Sequence, residues 1–91
     1  MLESISPSDL QVGCFYLETY ASGFTLFTVT ERTFINPDDL QYTIHDYYYS
    51  NLANQDTGTF TPSDFASNIV YPLPSALSPD QVKDLYPELF I

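Results

Sequence analysis

Twelve carboxylates stand against one lysine and one arginine in this 91-residue chain, a formal charge of −10. A compact fold carrying that charge repels itself, so its cohesion has to come from apolar burial. The chain can supply it: 44% of its residues are apolar, and eight tyrosines and seven phenylalanines bury a large area per side chain. Acidic disordered tails carry their charge in blocks and lack aromatics, whereas these acids are spaced singly apart from Asp38-Asp39. At this length there is room for one core, so residues 1–91 are expected to form a single compact domain.

The lone Cys14 rules out an internal disulfide framework and fits a reducing cytoplasm. No run approaches 18 consecutive apolar residues, and the start of the chain, with Glu3, Ser4, Ser6 and Ser8, lacks the basic-then-apolar layout of a secretion signal. Only Arg32 and Lys83 could meet a phosphate, which argues against direct binding of nucleic acid or of an anionic membrane. The charge points instead to a basic protein partner, of the kind whose groove expects phosphates.

A capping residue followed by proline and then polar or acidic residues recurs at Ser6-Pro7, Asn36-Pro37, Thr61-Pro62 and Ser78-Pro79. The pattern suits a helix start, because the cap accepts a free backbone N–H, proline's φ fits the first turn and carboxylates favour the positive end of the dipole. The same tetrapeptides also suit type I turns. Residues 12–20 and 24–35 are rich in aromatic and β-branched types around a glycine, which predicts a β-hairpin. From Asn36 onward Leu40, Tyr42 and Ile44 alternate as in a strand, but Asp46 would then fall on the apolar face. A helix over about 37–53 instead places Leu40, Ile44, Tyr47, Tyr48 and Leu52 on one side, and the Asn-Pro-Asp-Asp start agrees with it. Two shorter helices are expected, from Pro62 to about Val70 and from Pro79 to about Tyr86, with Tyr71-Pro72-Leu73-Pro74 extended between them and Leu89-Phe90-Ile91 docked on the core. The expected class is α+β: a small antiparallel sheet built on the 12–35 hairpin, packed against the 37–53 helix.

On that helix Asp39, Tyr42, Asp46 and Tyr49 would form an anionic stripe interleaved with tyrosines, able to oppose lysines and arginines while the rings anchor the contact. With Asp38, Asp56 and Glu31 these are the candidate partner-binding residues. No catalytic set is evident. Asp56-Thr57-Gly58 resembles the active-site triplet of aspartic proteases over three residues only; Asn54 and Gln55 stand where that family has an apolar strand, and the triplet reads as a polar loop with a glycine turn. Cys14, in an apolar strand-like run, reads as a buried inert thiol, with nothing local to pair it with His45 as a nucleophile and base. One histidine and one cysteine cannot supply a zinc site, the acids lack a calcium-loop spacing, and no cofactor is implied. Pro72-Leu73-Pro74 reads as a rigid connector, being shorter than a PxxP ligand.

In size, acidity and absence of catalytic motifs the chain resembles the anti-CRISPR, anti-restriction and other DNA-mimic inhibitors of bacteriophages and mobile elements. The resemblance is of physical type and is carried by no shared motif. It implies a non-enzymatic inhibitor, monomeric or homodimeric, that presents carboxylates to a nucleic-acid-binding or nucleic-acid-processing protein where phosphates would sit. The alternative expectation is a structural or assembly subunit that uses an aromatic surface, its acidity serving solubility.

Overall fold

The computed structural model describes residues 3–20, 23–49, 56–65 and 68–90, with Tyr49 and Asp56 by their backbone alone. Five strands, β1 (Phe15–Tyr20), β2 (Gly23–Phe34), β3 (Leu40–Tyr49), β4 (Asp56–Phe60) and β5 (Ile69–Leu73), form one antiparallel sheet in the order β4-β3-β2-β1-β5. One helix, α1 (Pro79–Leu85), and 3-10 turns at Pro7–Asp9, Pro62–Phe65 and Pro87–Phe90 complete the described chain. The α+β class and the hairpin that seeds the sheet are as the sequence predicts, with β1 and β2 paired from Phe15↔Thr28 to Tyr20↔Gly23.

Strand alternation sends side chains to both faces, and each face is covered. On one, Tyr16, Phe27, Val29, Tyr42, Ile44 and Val70 pack under the N-terminal segment through Leu10 and Ile5, and under Phe65 of the Pro62–Phe65 turn. On the other, Leu17, Phe24 and Leu26 pack under Leu77 and Val82 of the α1 region, with Tyr86, Leu89 and Phe90 closing the edge. The ring of Phe90 meets Phe24 edge-on at 4.9 Å, so the apolar C-terminal residues Leu89 and Phe90 dock as expected. Two tyrosine hydroxyls tie down the N-terminal segment: Leu10 N donates to Tyr42 Oη at 3.3 Å and Gln11 N to Tyr16 Oη at 2.8 Å.

The 37–53 helix is not present, and that expectation is corrected here: its first half is strand β3, and Ser50 to Ala53 fall outside the described residues. Tyr42, Thr43, Ile44 and the run Tyr47-Tyr48-Tyr49 are aromatic or β-branched, types that fit a pleated surface packed on both sides. Asn36-Pro37-Asp38-Asp39 is the turn that joins β2 to β3, closed by Asp39 N donating to Asn36 O at 3.1 Å and by Asp38 N donating to Asn36 Oδ1 at 3.3 Å. Of the four proline-marked segments only Ser78-Pro79 opens an α-helix. There Ser78 Oγ accepts from Gln81 N while Gln81 Oε1 accepts from Ser78 N, a complete capping box. The segment at Pro62 makes only a 3-10 turn that buries Phe65, after which Ile69 enters β5 and stays exposed.

The β2–β3 pairing contains two register shifts, between Leu26 and Phe27 and between Val29 and Glu31. The first leaves Tyr47 as an extra residue in β3, the second Thr30 as an extra residue in β2. Such bulges turn the side chains beyond them onto the other face. Tyr47 and Tyr48 consequently both pack on the α1 side, and the Tyr47 hydroxyl donates to Leu77 O at 3.2 Å. Ile44 and Asp46 are left on the opposite face.

Candidate partner-binding site

The face that holds Asp46 also holds Glu18, since Tyr16 and Glu18 are two residues apart on β1 and Glu18 pairs with Thr25 of β2 and Val70 of β5. Beside them the Pro62–Phe65 turn brings Asp64. These three carboxylates line a cavity of about 290 Å³ whose apolar lining includes Phe27, Phe60 and Phe65. Asp46 is 5% exposed, whereas Asp64 is exposed.

The cavity walls are held by specific contacts. Asn68 Nδ2 donates to Glu18 Oε2 at 2.7 Å, and the Tyr20 hydroxyl lies 2.9 Å from Thr25 Oγ1. Asp64 Oδ2 accepts from Thr61 N at 2.7 Å and from Thr61 Oγ1 at 3.2 Å, which fixes the carboxylate at the mouth. Phe60 lies across Gly58, where an added Cβ would come 3.1 Å from the ring, so glycine at that position makes room for one aromatic wall. Burial pushes the Glu18 carboxyl above the usual carboxylate range; the Asn68 bond opposes this, and the Asp46 charge adds to it.

A second hollow adjoins the first along the same turn. Pro62 and Ser63 line a cleft of about 470 Å³ together with Asp38, Asp39, Arg32 and Phe34 from the β2–β3 hairpin. Glu18, Asp46 and Asp64 thus line one hollow and Asp38 and Asp39 the other, and the Pro62–Phe65 turn contributes residues to both. By a strand rise of ~3.3 Å per residue, Asp39 and Asp46 are about 23 Å apart along β3. On the other side α1 and the last turn carry exposed Asp80, Asp84 and Glu88, with Lys83 among them.

The structure sorts the seven candidate residues unevenly. Asp38 and Asp39 are exposed at the hairpin turn, and Glu31 is exposed on β2, where its Oε2 accepts from Thr43 Oγ1 at 3.4 Å. Tyr42 is fully buried, so its expected role as a surface anchor is corrected: without the helix it points into the core beside Phe27 and Ile44. Asp46 is withdrawn into the cavity rather than displayed on a helix face. The side chains of Tyr49 and Asp56 are outside the described residues. Glu18, Asp64 and Asn68 went unnoticed in the sequence, although the two-residue step from Tyr16 was a legible signal for Glu18.

Asp56-Thr57-Gly58 lies in edge strand β4, not in a loop, with Thr57 Oγ1 3.0 Å from His45 Nδ1. Cys14 is exposed ahead of β1 rather than buried, because the strand begins one residue later. Among the described residues, no group of three or more His, Cys, Asp or Glu side chains is placed to hold a metal ion. No described helix is long and apolar enough to cross a membrane. Comparison with protein families, curated proteins and solved structures found no match to the chain.

Proposed function

We propose that this protein is a small cytoplasmic, non-enzymatic inhibitor that binds a basic, nucleic-acid-binding or nucleic-acid-processing protein by presenting carboxylates in place of phosphates, as anti-CRISPR and anti-restriction proteins do. The observation that carries this reading is that two hollows sharing the Pro62–Phe65 turn are lined by carboxylates, Glu18 and the exposed Asp64 in one and the exposed Asp38 and Asp39 in the other. Such local negative charge raises the rate of encounter with a basic groove, and the carboxylates that lose water on docking set the lifetime of the complex. Occlusion of the groove is sufficient for inhibition.

The test is capture of partners from a nuclease-treated bacterial lysate, with elution once by a salt ramp and once by duplex DNA or RNA. The expected result is a DNA- or RNA-handling protein that is released by either eluent and is no longer captured when Asp38 and Asp39 are both changed to Asn. Retention through high salt, with no release by nucleic acid, would overturn the mimicry. It would favour a second reading, an assembly subunit, for which the relevant observation is that Phe34 and Ile35 at the end of the hairpin are 53% and 59% exposed. Apolar burial at such a tip would resist salt.

A further inference from the structure

The cavity on the Glu18 face has a more specific chemistry than the two acidic hollows taken together. Its volume of about 290 Å³ is at the low end of ligand pockets and suits a single long side chain. Its walls are of two kinds. Phe60 is partly exposed and presents aromatic surface, backed by the buried rings of Phe65, 6.2 Å from it between centroids, and Phe27, 5.7 Å from Phe65. Glu18 and Asp64, with Asp46 behind them, present carboxylate oxygens, so an anion is repelled and a cation drawn in.

Neither basic side chain of this chain lies there. Arg32 sits over Phe34 at 5.3 Å in the hairpin cleft, and Lys83 over Phe24 at 5.7 Å on the opposite face of the sheet. A cation that enters this cavity would therefore come from another molecule. Of the two cationic side chains, arginine fits better: its planar, weakly hydrated guanidinium stacks on aromatic faces and donates from its edge to carboxylates in a fork, while an ammonium gives up more hydration on entering a half-enclosed space.

We propose that this cavity is a receptor for one arginine side chain of the partner, with Glu18 and Asp64 as the carboxylates that take its guanidinium and Phe60 as the aromatic surface against which it lies. The proposal rests on the function proposed above only for the source of the arginine. The pocket itself can be examined without a partner.

The experiment titrates N-acetyl-arginine amide, and in parallel N-acetyl-lysine amide, into the 15N-labelled full chain, followed by amide chemical shifts. The expected result is saturable shifts confined to the amides around Glu18, Thr25 and Asp46, with an affinity on the order of millimolar for so small a probe and a several-fold weaker response to lysine. Glu18→Gln is expected to weaken the arginine probe about tenfold, since it removes a charge-assisted hydrogen bond. Asp64→Asn, at the exposed mouth, weakens it less, and Asp80→Asn with Asp84→Asn on α1 has no effect. Equal shifts at Asp38, Asp80 and Glu88, or an equal response to lysine, would overturn the proposal. Probe binding in a protein that captures no nucleic-acid-handling partner keeps the pocket and discards the inhibitor. A captured partner whose affinity is unchanged by Glu18→Gln keeps the inhibitor and discards the pocket.

Discussion

Replacing Tyr42 with phenylalanine removes one oxygen atom and separates the two conformations that the 37–53 region could adopt. In the sheet Tyr42 is 0% exposed, and its hydroxyl accepts from the amide of Leu10, itself 0% exposed, at 3.3 Å. Phenylalanine keeps the ring and its packing but leaves a buried N–H with no acceptor, a loss of about 1–3 kcal/mol in general. The long distance places this bond near the lower end, so the expected destabilisation is about 1–1.5 kcal/mol. For a domain of this size that lowers the melting midpoint by roughly 5–10 °C. Tyr16→Phe is the internal comparison. Its hydroxyl accepts from Gln11 N at 2.8 Å, but Gln11 is exposed, so water can replace the lost acceptor and the drop is smaller. The assay is thermal unfolding by circular dichroism, repeated in urea to show that the slope is unchanged. An unchanged midpoint for Tyr42→Phe, combined with weaker partner binding, would refute the reasoning, because it would mean that the ring faces solvent.

Glu18→Gln is expected to raise stability at neutral pH by less than about 1 kcal/mol, the carboxylate being partly exposed and screened. Its folded-state pKa lies above the unfolded value, so the stabilisation it gives is fully present below the unfolded value and is lost as pH rises through the folded one. Glutamine escapes that loss, and its advantage should vanish below about pH 4 in a series of melts. A variant that is more stable and binds less tightly would mark Glu18 as a residue held for function rather than for folding. Ser78→Ala, which dismantles the capping box, is expected to cost about 1 kcal/mol of local stability. Hydrogen exchange would show it at the Val82 and Tyr86 amides, which donate to Ser78 O and Val82 O, before it appears elsewhere.

What the sequence revealed correctly was local. The β1–β2 hairpin, the Ser78 cap and the docking of Leu89 and Phe90 each depend on a few neighbouring residues. Strand β3 is ambiguous in the sequence for a definite reason: positions 40 and 44 are spaced by four, which is both an even number and close to one helical turn, so they satisfy both periods, while the bulge at Tyr47 that turns Tyr48 to the other face has no local signal. Asp46 weighs for the helix by the same local rules. A carboxylate on an apolar strand face is costly in a filled core, but here it borders a cavity. Local rules fail most readily at sites retained for a task, and this failure pointed directly at the candidate site. Asp64 and Asn68 could not have been placed beside Glu18 from the sequence, because their approach depends on β5 pairing with β1 after a 3-10 turn.

The two bulges in the β2–β3 ladder act as compensating frame shifts. Paired positions sum to 74 at Leu26↔Tyr48, to 73 from Phe27↔Asp46 through Val29↔Ile44, and to 74 again at Glu31↔Thr43. The stretch between them is a window read one residue out of phase with the rest of the hairpin. Tyr47 and Thr30 have no partner across the ladder, so deleting either one alone would remove its bulge and leave the pairs on both sides of it matched. Deleting both would straighten the ladder and return every other residue to the face it now occupies. Single-codon losses in this hairpin are therefore unequal in a way that burial does not reveal: loss of either unpaired residue, the two being seventeen positions apart in the chain, keeps the register, whereas loss of a paired residue slips the rest of its strand.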